Sequence, residues 1–464
     1  MKKLIIALLC LTIVVATTAW FFLRNNDKAL NVLPADATVV AVFEPTKLAD
    51  GLGLDMHDVM KLASSFADVE CAIDFSNPFY AFTTEKGITG FVLNVKDVDK
   101  LLKSISAFGF AGEKQQGLNW VANDNIICCI DDDKMLLCIA SVTQQNALRG
   151  EMMKLMKQTR QEVPILKKAN KLTGFLKLSA TLSSLPKSQM PPGYDHSGAF
   201  LTASAAIGKQ DITLSANVED KDGKPYNGRV KGKELLCPID GLLPTIRSAN
   251  PFAWLCMGIK GEQLLNILRS KPQVSTSLMA LNVAFFDADQ ILKAIDGDVM
   301  IMMPKTDEML ITAKISNSNF LKDANDWDTT SSIDGMSLRK RGLNDDYVFT
   351  FNDKHLYFGV REEKLYIASS ERLANQFLQD SGTEIHNNNI VGRYIIGSLD
   401  VNQLIGNNTL ITILLSAVPA FSENIKAIDK INMACKTPQS LELSIQTKKP
   451  IKDIMSSLWT VLTD

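Results

Sequence analysis

Five stretches of this chain recur in the same order roughly half its length later, and that repetition limits the possible folds more than any other feature. FVLNVKDVDKLL, an alternating strand that hands over to a helix at Asp97, matches ITAKISNSNFLKDA with its handover at Asn317, placing Val95 against Ile315 at an offset of 220. LLCIAS matches KLYIASSERLANQF, with Ile139, Ala140 and Ser141 against Ile367, Ala368 and Ser369 at 228. GFLKLSATLSSL matches RYIIGSLDVNQLI, Leu176 against Ile395 at 219, and DITLSANV matches SLELSIQT, Leu214 against Leu443 at 229. At the front, ATVVAVFEP with Thr46-Lys47-Leu48 matches FAWLCMGIKGEQLL, Leu48 near Leu264 at 216. Such a period implies one arrangement of elements used twice, since each copy must bury the same apolar positions.

With 464 residues the chain exceeds one core of ordinary size. It divides into an N-terminal segment 1–30, a first unit 31–232 and a second unit 233–464. The boundary falls in EDKDGKPYNGRVKGKE, residues 219–234, which is too polar to form core. Each unit reads as a strand with an amphipathic helix, a strand pair, a short helix, a three-strand meander, a helix, a strand with its helix, and a closing hairpin. In the second unit the meander is YVFTFND, HLYFGVRE and KLYIAS. Helices fall between runs of strands, so the expected class is α+β, two tandem copies of a largely antiparallel sheet covered by helices on one side. At the end of the chain, Ile451, Ile454, Met455, Leu458 and Leu462 share one helical face behind Pro450, and this helix is expected to pack on the second unit.

Ahead of the body, Lys2 and Lys3 precede an uncharged run from Leu4 to Leu23 that ends at Arg24. Twenty helical residues reach about 30 Å, the thickness of a bilayer core. The lysines hold the amino end in the cytoplasm and send the rest across, giving a single-pass inner-membrane protein with a periplasmic body. A cleaved signal would cut after Ala19, but the run continues through Trp20, Phe21, Phe22 and Leu23, aromatic residues suited to a retained helix at the interface. A lipoprotein signal would need a small residue before its cysteine, whereas Leu9 precedes Cys10. Thr409–Phe421, broken by Pro419, is too short to span and reads as a buried helix.

The chemistry-bearing residues are sparse. Lys plus Arg number 49 against 51 Asp plus Glu, a formal net charge of -2 that offers no field for nucleic acid. His57, His196, His355 and His386 have no partners at metal-ligand spacing. Gly51-Leu52-Gly53 lacks the third glycine of a phosphate loop, since Met56 stands there. Ser184 with Lys187 and Ser337 with Lys340 satisfy S-x-x-K without the accompanying elements. Asp131-Asp132-Asp133 reads as a solvated hairpin turn, and Asp220, Asp222 and Gly223 as another, because Val218 stands where a calcium loop needs its first ligand. With Asp132 and Asp133 at the turn, Cys129 faces Leu136 and Cys138 is only its diagonal neighbour, about 7–8 Å away and too far for a disulfide. Lys221, Lys224, Arg229, Lys231 and Lys233 make a basic patch whose ordinary role is to keep a loop solvated. No catalytic, cofactor-binding or metal residue is assigned.

The opening of the body, LPADATVVAVFEPTKLADGLGL, behind an exported N-terminus and ahead of a repeated strand-rich unit, resembles a Bacteroidetes family of cell-envelope proteins of unknown function. That resemblance implies an envelope location and supplies no catalytic residues; many such proteins are regarded as lipoproteins, from which the missing lipobox departs. The expected function is a non-enzymatic binding or assembly module that engages an envelope protein or a lipid-like ligand. An envelope hydrolase whose site no motif reveals is the rival reading, and a purely structural role the third.

Overall fold

The computed structural model describes residues 27–54, 72–107, 110–184, 197–226, 234–241, 251–284, 287–321, 332–333, 336–341, 346–351, 354–380, 390–407 and 424–454. Leu4–Leu23 and Thr409–Phe421 lie outside these residues, and among the described ones no helix is long and apolar enough to cross a membrane. The protein is α+β, built on antiparallel strands. It forms two compact units: the first runs to Asn227 and takes back the chain from Thr447, and the second is built on Gly228–Gln446.

In the first unit the strands are β1 (Ala37–Phe43), β2 (Phe79–Thr84), β3 (Thr89–Asn94), β4 (Ala111–Gln115), β5 (Leu118–Ala122), β6 (Ile126–Ile130), β7 (Lys134–Ile139), β8 (Leu176–Thr181), β9 (Phe200–Ile207) and β10 (Asp211–Glu219). They pair antiparallel in the order β4-β5-β6-β7-β3-β2-β1-β8-β9-β10. The helices are α1 (Pro45–Leu52), α2 (Val98–Ala107), α3 (Val142–Lys157) and α4 (Pro164–Asn170), with a 3-10 turn at Lys28–Val32.

Both faces of this sheet are buried, which corrects the expectation of helices on one side. On one face Val40, Val42, Phe82, Val92, Ile127, Cys129, Leu136 and Cys138 pack against the 3-10 turn, Met152 and Met156 of α3, and Ile165 and Ala169 of α4. On the other, Phe79, Leu93, Val121, Cys128, Ile130 and Met135 pack against Ala49 and Leu52 of α1 and Leu101 of α2. IICCI shows the cause: it is apolar at every position, so Ile127 and Cys129 serve one core while Cys128 and Ile130 serve the other. Each large apolar side chain buried this way contributes about 1.5–3 kcal/mol.

Ile451 also joins the second of these cores, and its N–H donates to the Lys209 carbonyl at 3.0 Å. The described start of the C-terminal helix therefore packs on the first unit, not the second. Nothing local in the sequence distinguishes the two docking sites, because the amphipathic pattern specifies a face and not a partner.

The second unit contains β11 (Ala253–Lys260), β12 (Ile295–Lys305), β13 (Glu308–Ile315), β14 (Ser332–Ile333), β15 (Met336–Lys340), β16 (Asp346–Phe351), β17 (Lys354–Arg361), β18 (Lys364–Ala368), β19 (Ile395–Asp400), β20 (Ile428–Cys435) and β21 (Ser440–Thr447). Its antiparallel order is β14-β15-β16-β17-β18-β13-β12-β11-β19-β20. Helices α5 (Gly261–Arg269), α6 (Pro272–Ala284), α7 (Ala288–Ala294), α8 (Glu371–Asp380) and α9 (Val401–Asn407) complete it. Leu373, Ala374 and Phe377 of α8 cover Met300, Met302, Leu310 and Tyr366 on one face, and Ala294 of α7 joins Val299, Ala313, Ile315 and Leu365 on the other.

Strand by strand, the order from β4 through β9 is the order from β15 through β20. The registers align the two ladders to the residue. Phe91 pairs with Ala81 and Leu137, and Ile311 with Ile301 and Ile367, so Leu137 corresponds to Ile367. The IAS segments, aligned by sequence with Ile139 on Ile367, are therefore two residues out. A slip of two returns every side chain to its own face, so the apolar pattern is blind to it. The meander also has four strands where three were expected: β4 and β15 were missed because AGEKQ and MSLRK carry mixed, largely polar sequences outside the central strands.

One detail is kept with its charges exchanged. Glu113 on β4, opposite Trp120, is ion-paired with Arg149 of α3, whose guanidinium lies 5.1 Å from the Trp120 ring centre. At the corresponding place beyond β15, Arg341 lies 5.4 Å from the Tyr357 ring centre and bonds Glu371 of α8 at 3.0 Å. In both units an arginine over an aromatic ring ties the outer meander to the helix that follows it, from the helix side in one and the strand side in the other.

Candidate functional site

The start of β1, the β2–β3 turn, the start of α4 and the end of β8 enclose an open cavity of about 480 Å³ in the first unit, lined by Ala35, Asp36, Ala37, Thr38, Glu85, Pro164, Ile165, Thr181, Ser183, Ser184 and Phe200. Strand alternation selects its wall. Lys177, Ser179 and Thr181 alternate along β8 and face the same way, opposite Ser204, Thr202 and Phe200 of β9. The row begins deep and polar at Lys177 and ends at the cavity with Thr181 and Phe200.

At the deep end, Lys177 Nζ is ion-paired with Glu44, the side chains being 4% and 10% exposed. Burial pushes the Lys177 ammonium below its usual pKa against the opposing effect of the Glu44 carboxylate. The other Glu44 oxygen, Oε2, has no well-angled hydrogen bond but lies 2.5 Å from the half-exposed Lys47 Nζ. One step nearer the cavity, Ser179 is fully buried and its Oγ has no hydrogen-bond partner among the described residues. Ladder registers place Ser398 at the corresponding position, where its hydroxyl donates to Asn432 Oδ1 at 2.8 Å.

At the cavity itself three of the four lining hydroxyls, all but that of the exposed Ser183, spend their protons on backbone. Thr38 Oγ1 donates to the Thr83 carbonyl at 3.1 Å, Thr181 Oγ1 to the Thr38 carbonyl at 3.3 Å, and Ser184 Oγ to the Thr181 carbonyl at 2.7 Å. What they turn toward a ligand is lone pairs. Asp36 and Glu85 are held together on the rim by the Glu85 N–H donating to the Asp36 carbonyl at 3.3 Å, and among the described residues neither carboxylate is ion-paired. Pro164, Ile165, Phe200 and the alanines supply the apolar part.

The residues singled out by sequence fare differently. Ser184 lines the cavity with its proton committed to Thr181, and Lys187 lies outside the described residues. Ser337 and Lys340 stand three apart on β15, opposite Thr350 and Tyr347, so they face opposite sides of the sheet and cannot meet. Asp131 to Asp133 form the expected turn: Asp131 N–H donates to the Lys134 carbonyl at 2.9 Å, and Asp133 pairs with Lys28. Cys129 faces Leu136 and Cys138 faces Ile127, and all three cysteines of this sheet are free thiols. Gly53 ends α1 in the left-handed region at φ 61°, and a side chain at Gly51 would strike the Ile207 carbonyl, so both glycines answer to backbone packing. Asp220 Oδ1 accepts from the N–H groups of Asp222 and Lys224 at 2.8 and 2.9 Å, closing its turn on itself. His355 is exposed and bonds Thr350 Oγ1 at 2.9 Å; His57, His196, His386, Arg229, Lys231 and Lys233 lie outside the described residues. No group of three or more metal-ligating side chains occurs among the described residues.

Sequence reasoning missed the cavity, although it had both of its ends in hand. Leu-Pro-Ala-Asp-Ala, quoted for its resemblance, supplies Ala35, Asp36 and Ala37, and the repeated segment GFLKLSATLSSL supplies Thr181, Ser183 and Ser184.

No family model matches this chain, and no curated protein matches it. Among solved structures it is similar to TP0453 in crystal form IV, with 13% identity over 42% of this chain and 81% of that chain at a TM-score of 0.28, and in crystal form I, with 14% identity over 42% and 79% at 0.27. The DNA polymerase III subunit beta from Pseudomonas aeruginosa aligns over 80% of this chain and 90% of its own at 9% identity, with a TM-score of 0.10. Scores this low carry no structural inference about this chain.

Proposed function

We propose that this is a membrane-anchored cell-envelope protein without catalytic activity, made of two copies of one α+β unit and acting as a binding module through the cavity of the first. One observation carries the reading: an open cavity of about 480 Å³, within the range of small-ligand sites, in which an apolar wall faces convergent polar groups. The duplication is supported by the shared strand order and by residue-level register, as with Leu137 and Ile367. The anchor is supported by the length and flanking charge of Leu4–Leu23.

Binding is tested on the full chain in nanodiscs by ligand-observed NMR with small aromatic probes, comparing the wild type with Ser183→Trp, which fills the exposed rim. Probe binding that the tryptophan abolishes is the expected result; equal signals from both proteins would refute the reading. Single cysteines placed at Lys2 and Lys209 test the topology. Over the labelling of the native cysteines seen in the wild type, an impermeant maleimide should add label only at position 209 in cells with a permeabilised outer membrane.

A further inference from the structure

We infer that the cavity of the first unit takes a ligand bearing a protonated amine. This rests on the binding reading above and adds the chemical class. Three of the lining hydroxyls, on Thr38, Thr181 and Ser184, donate their protons to backbone carbonyls, which leaves them only acceptor capacity toward a ligand. The remaining ionisable groups of the lining, Asp36 and Glu85, are carboxylates with no basic partner among the described residues. Among the described residues no lysine or arginine lines the cavity. An ammonium carries three donors and no acceptor, so it satisfies such a surface, whereas a carboxylate or phosphate would face like charge and lone pairs.

The nearby cations do not reverse this. Lys177 lies four residues back along β8 from Thr181, about 13 Å at strand spacing, and is paired with Glu44. Lys168 sits 4.5 Å from the Phe200 ring centre, and its Nζ donates to the Asp220 carbonyl. Ser179, buried and without a hydrogen-bond partner among the described residues, lies in the same inward row one step behind Thr181, so the polar character of the wall continues behind the rim. Pro164, Ile165 and Phe200 provide an apolar wall for the body of the ligand. The class is therefore an amphipathic amine.

Three probes of equal size and shape decide it: benzylamine, benzyl alcohol and benzoate at pH 7, titrated into the full chain in nanodiscs with empty nanodiscs as reference. Benzylamine should bind at least about tenfold more tightly than benzyl alcohol, and benzoate should not bind, as expected for a charge-assisted contact in place of a neutral one. Asp36→Asn and Glu85→Gln should each weaken benzylamine by about three- to tenfold and leave benzyl alcohol unchanged, and raising salt from 50 to 300 mM should weaken only the amine. Equal binding of alcohol and amine, tighter binding of benzoate, or an amine affinity indifferent to both substitutions would overturn the amine class while leaving a binding cavity in place. Failure of all three probes, with Ser183→Trp indistinguishable from wild type, would overturn the cavity as a binding site as well.

Discussion

Neutralising Glu44 is expected to destabilise the first unit severely, whereas removing its whole ion pair is not. Lys177 is buried to 4% exposure and its ion pair is with Glu44, while Glu44 also has Lys47 Nζ 2.5 Å away. Glu44→Gln leaves an ammonium enclosed without counter-charge, which costs about 3–5 kcal/mol for a buried pair broken on one side. Lys177→Met is milder, because Lys47 still neutralises the carboxylate. The double variant Glu44→Leu/Lys177→Met removes both desolvation costs and should fall within about 1 kcal/mol of wild type or above it. Lys47→Ala, at a side chain 39% exposed, should cost less than about 1 kcal/mol. Because two units unfold in one chain, the readout is amide exchange at Val42 and Leu178, on the paired strands β1 and β8, as a function of urea. The pH dependence has a definite sign. Lys177 has a lowered folded pKa, so between that value and 10.5 the unfolded chain binds more protons and stability rises with pH. In Glu44→Gln the counter-effect of the carboxylate is gone, and the rise should begin at lower pH. A cost below about 1 kcal/mol for Glu44→Gln, or a double variant as unstable as the single, would refute the reasoning.

Three further outcomes are expected. Asp27, bonded to Tyr80 and Asn94 beneath the 3-10 turn, has a pKa raised by burial. The stability it lends is full below 3.8 and is lost as pH rises through the folded value, so Asp27→Asn should flatten that slope in a pH series of urea melts. Glu113→Arg should cost about 1 kcal/mol by facing Arg149, and Arg149→Glu added to it should recover most of the loss at 0.1 M salt; no recovery in thermal melts would mean that the ion pair contributes nothing. Cys129 and Cys138, whose thiols are pushed up to about 12 by burial, should react with Ellman's reagent only at the rate of unfolding, while the half-buried Cys237 reacts sooner; fast modification of Cys129 or Cys138 themselves, located by peptide mass spectrometry, would contradict the packing of this sheet.

The α+β class, the antiparallel sheets and the Asp131–Asp133 turn were legible because they depend on local periodicity and turn chemistry. The recurrence of Leu176 and Ile395 was legible for the same reason, since a fold used twice repeats its apolar pattern. Unrecognised were β4 and β15, whose mixed sequences carry no clear alternation. IICCI by itself indicates a strand covered on both faces, because a strand with one wet side has no need of five apolar residues in succession.

Tertiary structure alone decided the rest. The two-residue shift between Ile139 and Leu137 as the counterpart of Ile367 is fixed by hydrogen-bond register, to which a period of two is indifferent. The docking of Ile451 on the first unit depends on which surface is free, and the C-terminal segment does not encode that. The cavity gathers Asp36, Glu85, Ile165, Thr181 and Phe200 from distant parts of the chain, and its preference for donors depends on where three hydroxyl protons point. The composition of the chain supplies hydroxyls and carboxylates; only folding commits those protons to the backbone and leaves lone pairs facing the solvent.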